Sequence, residues 1–259
     1  MAESNLNQSF LKIESFGKKT YAMTLLLRYD DIIVAIDNNL YQKGENAFVD
    51  DLNIAKKNKT DVILTILRND TFFDILVSGS LGCKFTSTSS EETKTIVEEF
   101  AKKENFDKEQ LNSYTVMRDI KNNYEIINMS KSLAAGIFPP LWLAFHQKWW
   151  LLALFSVMSF LIISVNTLLF IFAWICLSLY CYIGQIELLT SFAMLSGKVF
   201  SMRLASINIE NSQKLIRKLY PKSKFKYSKL GDPVVEEEDE NSKNSSKENK
   251  ISTSQEALV

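Results

Sequence analysis

Two kinds of side chain in this chain could do chemistry, and both are sparse. His146 is the only histidine, and the three cysteines, Cys83, Cys176 and Cys181, are far apart. One imidazole cannot build a relay, a triad or a His-based metal site within one chain. Its expected place is an interface, with proton sensing the more specific reading because free imidazole titrates near about pH 6.5. Three scattered thiols make no disulfide framework, and Cys176 and Cys181 fall in an apolar stretch where Cys acts as a small apolar residue. A reducing, cytoplasmic exposure is expected. Asp30-Asp31 and Asp50-Asp51 are adjacent carboxylates, which point in different directions on regular structure and read as solvated surface. Ser78-Gly79-Ser80-Leu81-Gly82 lacks the Gly-Lys-Ser/Thr ending of a phosphate loop, so a turn is expected there. No catalytic residue, metal or cofactor is assigned, and the chain does not read as an enzyme.

The other chemistry is electrostatic. Lys214, Arg217, Lys218, Lys222, Lys224, Lys226 and Lys229 place seven basic residues in sixteen, interleaved with Phe225 and Tyr227. Beside a membrane segment such a cluster reads as a binder of anionic lipid headgroups, each charge contributing about 1 kcal/mol. Nucleic acid is the competing partner, and it is not expected because no binding fold accompanies the patch.

The element that must position these residues is an uncharged run. Trp149 to Ile186, 38 residues, holds no Asp, Glu, Lys, Arg or His and lies between Lys148 and Glu187. At about 1.5 Å per residue it is roughly 57 Å long as a helix, nearly twice a hydrocarbon core of about 30 Å. Two spans near 149–165 and 168–186, broken at Asn166-Thr167, are therefore expected. Trp142, Trp149 and Trp150 on one side and Tyr180 and Tyr182 on the other are candidate membrane-interface rings. The overall balance of 30 basic and 30 acidic residues hides an uneven distribution: residues 187–229 hold 9 basic and 2 acidic, and 230–259 hold 3 basic and 8 acidic. Positive charge at both ends of the run puts both ends, and both termini, in the cytoplasm. Met1 to Phe10 lacks the pattern of a secretory signal. Few Gly and Pro with many Lys, Asn and Ile suggest a bacterial, AT-rich coding bias.

Ahead of the run, residues 1–112 predict a cytoplasmic α+β domain. Thr24 to Ile36 and Asp61 to Val77 both read as strand or hairpin, β-branched and aromatic residues flanking Asp and Asn. The two passages share a Leu-Arg-x-Asp pattern that is read as chance similarity. Ser89 and Glu92 have capping-box spacing before a helix whose stripe is Ile96, Val97, Phe100 and Ala101. Residues 134–145 are apolar but too short to cross and are broken by Pro139-Pro140, so an interfacial collar is expected. Residues 188–200 and 204–230 read as surface-lying amphipathic segments, and 231–259 as a disordered acidic tail.

Tyr114-Thr115-Val116, Phe138-Pro139-Pro140-Leu141-Trp142, His146, Trp149, the double span, Tyr182-x-Gly184, and Leu195 with Gly197 occur in an order that resembles the bacterial inner-membrane family catalogued as domain of unknown function 2628. The resemblance covers about residues 113–200. It implies an integral membrane protein and supplies no chemistry. The expected fold is thus a small soluble α+β domain, then an all-α membrane module at 113–203, a two-helix transmembrane hairpin with interfacial helices. The expected function is a membrane-anchored interaction or assembly module in the bacterial inner membrane, multi-pass, with anionic lipid, an unknown protein and a second copy of itself as partners. A subunit of an oligomeric channel or transporter, and a lipid-related enzyme with its site in residues 8–110, are the alternatives.

Overall fold

The turn chemistry of the chain decides where it reverses. Asn69 and Asp70 both take positive φ (45° and 55°), as the two-residue hairpin turn with a right-handed twist requires, and close β4 (Val62–Arg68) onto β5 (Thr71–Val77) in full register from Val62↔Val77 to Arg68↔Thr71. Asp37 and Asn38 do the same (47° and 65°) between β2 (Ile32–Ile36) and β3 (Asn39–Leu40). The structure, a computed structural model, describes residues 9–233. The remaining elements are β1 (Leu11–Phe16), α1 (Tyr21–Thr24), α2 (Glu45–Asn58), β6 (Cys83–Ser87), α3 (Ser90–Phe100), β7 (Asn112–Arg118), β8 (Asn123–Asn128), α4 (Ala134–Ile137), α5 (Pro139–Phe145), α6 (Trp149–Val165), α7 (Thr167–Leu195), β9 (Val199–Ser206), α8 (Ile209–Leu219) and β10 (Lys224–Phe225).

All ten strands join one sheet in the order β10-β8-β7-β9-β5-β4-β2-β1-β6, with β3 beside β2. Pairing is antiparallel except where β10 runs parallel to β8. Side chains alternate between the faces as the pleat demands. On one face Phe48 and Leu52 of α2 and Ile216 and Leu219 of α8 cover Ile33, Leu64, Ile66, Ile75, Val116 and Met202. On the other, Ile96 and Phe100 of α3 cover Val34 and Leu67. Further along that second face Trp142 and Leu143 of α5 and Leu189 and Ala193 of α7 cover Met117 and Ile127.

This arrangement corrects the fold read from the sequence. The chain is one mixed α/β fold on a ten-stranded sheet, not a small domain followed by an all-α module: β7 begins at Asn112, β8, β9 and β10 follow it, and the second half of the sheet is built from these four. Among the described residues only α7 is long and apolar enough to cross a membrane, with a mean hydropathy of 2.0 over its best window and almost none of that window covered by the rest of the chain. α6, with 17 residues, falls short of that length. The sequence misleads because β7 and β9 are separated by some eighty residues that include β8 and four helices, and strand pairing over that separation leaves no local pattern.

Other readings change too. Residues 24–31 are not strand: Leu26 and Asp30 take positive φ (60° and 66°), so the chain coils, burying Leu25 and Leu27. Asp31 is not surface but fully buried, because Arg68 at the end of β4 donates to it from Nε (2.7 Å) and Nη2 (2.6 Å). Residues 188–200 form no separate surface helix; α7 runs on to Leu195 and β9 starts at Val199. α3 is capped as its sequence predicts, Ser89 accepting from the Glu92 N–H and Glu92 accepting from the Ser89 N–H. The acidic run from Glu236 lies outside the described residues.

Candidate functional site at the junction of sheet and apolar hairpin

Asn166 ends α6 and begins α7. Its backbone is extended (φ −161°), and its side chain accepts from the N–H groups of Leu168 and Leu169, capping the new helix. The two helices then pack through aromatic rings, Trp174 of α7 meeting Phe155 of α6 at 5.4 Å, with Phe170 one turn before Trp174 on the same helix at 5.7 Å. Outward they present large apolar side chains: Phe160, Val165, Leu168 and Phe172 are all more than 60% exposed. Such a continuous apolar surface is far larger than water-facing proteins carry and needs a cover.

Three contacts seat this hairpin on the sheet. Glu125 on β8 holds Lys198, just beyond α7, at 2.5 Å and Lys148, just before α6, at 3.7 Å, so one carboxylate ties both ends of the excursion. Gln185 on α7, 2% exposed, accepts from the Ser132 N–H (2.8 Å) and donates to the Tyr182 carbonyl (3.0 Å). Gly136 on α4 lies against Tyr182, where a Cβ would come within 3.0 Å of the Tyr182 Cβ, so the close approach of α4 to α7 needs glycine. Pro139 and Pro140 start α5, where a missing N–H costs nothing.

Between these parts lies a groove of about 570 Å³, within the range of ligand sites. Its apolar wall comes from Leu141, Trp142 and Phe145 of α5 and Ile186 and Leu189 of α7, and its polar rim from Glu125, Lys131, Ser132, His146, Lys148 and Gln185. His146 stacks edge-on to Trp142 and Phe145 at 5.0 and 5.4 Å. Burial, and then the Lys148 charge, hold its imidazole below the ordinary histidine range, with Glu125 opposing. The groove can hold an anion beside an apolar body. Cys83 is distant from it, and burial pushes that thiol up to about 12, so it stays protonated at neutral pH.

The sequence-predicted site residues are dispersed. Trp149, Trp150 and Tyr180 are exposed on the hairpin, with Trp150 edge-on to Phe192 at 5.9 Å, and Tyr182 packs on Gly136. Trp142 is 4% exposed and belongs to the core under α5 rather than to an open interface. Of the basic cluster, Lys214, Arg217 and Lys218 sit on α8, whose apolar side, Ile216 and Leu219, is spent on the sheet core and is not free for lipid. Lys214 and Lys229 pair with Glu210 at 3.1 and 3.6 Å, and Arg217 lies over the Phe225 ring and donates to the Gly231 carbonyl. Lys226 lies over Tyr227, Lys224 is in β10, and Lys222 is exposed before it. None of the seven lines the groove.

Glu125 and the groove were not anticipated from sequence. Glu125 is one of many acids and becomes special only through its partners. Gln185 did carry a signal, as an amide within the uncharged run, where a polar group must find a protein partner. Compared with family models, with curated proteins and with solved structures, the chain finds no match.

Proposed function

We propose that this chain is a membrane-anchored interaction module, its sheet held on one face of a bilayer by the apolar α6–α7 hairpin. The observation that carries the reading is the pairing of β7 with β9 from Asn112↔Ser206 to Arg118↔Val199. β7 precedes the apolar excursion and β9 follows it, and hydrogen-bonded neighbours in one sheet stand on the same side of a membrane. The excursion therefore enters lipid and returns, α7 supplying the long arm and α6 the shorter one. Lys131, Lys148 and Lys198 at its base favour the cytoplasmic face of a bacterial inner membrane, both termini on that side. Leu133, Ile137, Leu141 and Phe145 on α4, α5 and the turn before them are exposed around the base and continue the apolar surface to headgroup depth. The likeness of residues 113–200 to domain of unknown function 2628 belongs to the same proposal. The sheet is the part presented to a protein partner. Reporter fusions at both termini test the reading together with alkaline extraction of membranes. Retention in the membrane pellet with cytoplasmic readings at both ends is expected; a periplasmic reading at either end, or release by alkali, overturns it.

A further inference from the structure

We infer that the groove between β8, α5 and α7 binds one amphiphile with an anionic phosphate headgroup, the headgroup at Lys131, His146 and Lys148 and the apolar body against Leu141, Phe145 and Ile186. This rests on the reading of α6–α7 as membrane-embedded. The groove opens where the exposed apolar surface of the hairpin meets the polar edge of the sheet, so its two halves match the two halves of a phospholipid rather than a free ion. Its charge is unbalanced. Glu125 is the only carboxylate on the rim and is engaged by Lys148 and Lys198, which leaves cationic excess. Lys131 is exposed on the rim and makes no ion pair among the described residues. The Trp142 and His146 rings and the Gln185 side chain are fixed by packing and hydrogen bonds, so the site is formed before a ligand arrives. No residue of the basic stretch 214–229 lines it, so this is a second and more specific lipid contact than a charged skirt.

The test titrates the full-length protein in nonionic detergent with dihexanoyl-phosphatidylglycerol, dihexanoyl-phosphatidylcholine and inorganic phosphate, reading bound mass by native mass spectrometry. One equivalent of the glycerol lipid is expected to bind about tenfold more tightly than the choline lipid, and inorganic phosphate weakly. Lys131→Glu should weaken binding by about tenfold and Lys131→Arg restore it, while Ala134→Phe, which fills the groove without changing charge, should abolish it. Equal binding of the two lipids, phosphate binding as tight as the anionic lipid, or binding unchanged in both Lys131→Glu and Ala134→Phe overturns the inference. Failure here is separable from failure of the membrane reading: the variants are also extracted with alkali, and a protein that stays in the pellet but retains no lipid sinks only the groove.

Discussion

Asp30 and Asp31 are neighbours with opposite fates, and the difference is a matter of burial. Asp30 is 80% exposed beside Lys12, whereas Asp31 is 1% exposed and Arg68, its partner, 5%. Both charges of the second pair have left water, so removing one leaves the other uncompensated. Asp31→Asn is expected to cost about 3–5 kcal/mol and Asp30→Asn less than about 0.5 kcal/mol, read as loss of urea or thermal stability. Equal effects would show that burial is not what separates them. The sequence shows two adjacent acids and nothing more, because the partner that buries one of them is 37 positions away at the end of β4. His146 is a second residue whose surroundings decide its behaviour. Its folded-state pKa is lowered by burial and then by Lys148, so below the ordinary histidine value the unfolded chain binds the proton first. Stability from this group is therefore fully present above about pH 6.5 and is lost as pH falls toward the lowered value. His146→Gln should flatten that part of the acid-side loss. With a single histidine in the chain, an NMR titration of the imidazole needs no assignment, and a midpoint at or above the ordinary value would refute the expectation.

At the scale of elements, legibility follows the range of the interactions involved. α3 was readable because its cap, its helix and its apolar stripe are all within a dozen residues. Ser89→Ala removes the acceptor for the Glu92 N–H and should cost about 1 kcal/mol; Glu92→Gln, which keeps a group able to reach back, should cost less. If Ser89→Ala melts with the parent protein, the cap contributes nothing. The β4–β5 hairpin was readable for the same local reason, its Asn69-Asp70 turn being specified by two residues that tolerate positive φ. α8 shows the opposite case. Its apolar and basic sides are plain in the sequence, but an amphipathic helix can lay its apolar side on lipid or on protein, and only the sheet beneath it decides. Ile216 and Leu219 lie in the same core as Phe48 and Leu64, from the first part of the chain. α7 is similar: its last nine residues, beyond Ile186, looked like a separate surface helix because Glu187 breaks the uncharged run, yet Leu189 and Ala193 there are buried on Met117 and Ile127.

For the whole molecule, the decisive fact is that an apolar two-helix excursion is inserted within a sheet rather than appended to a domain. The two parts of the sheet, β6-β1-β2-β4-β5 and β9-β7-β8-β10, meet where β5 pairs with β9 at Asp74↔Ala205. That seam is narrow in the backbone, but the core beneath is continuous: Tyr114, Val116, Tyr124, Met202, Leu204, Ile216 and Leu219 share one cluster with Leu11, Ile33, Ile66 and Phe73. Arg28 crosses the seam as well, donating to the Ser201 carbonyl and lying over the Tyr220 ring at 5.6 Å. A piece ending at residue 112, where the sequence places a domain boundary, would expose β5 as a long edge strand and strip partners from that core. Burying one large apolar side chain is worth about 1.5–3 kcal/mol, and each lost side chain shares its burial with residues of the retained piece. The loss is several kcal/mol or more against a total stability of about 5–15 kcal/mol. Residues 1–112 expressed alone should therefore show no cooperative urea transition, and the unpaired edge should drive aggregation. The intact chain should lose the structure of both parts of its sheet in a single step, followed by hydrogen exchange at β4 and β7. A cooperative transition in the isolated piece would restore the boundary at 112 and make the second half of the sheet an accessory to an independent domain.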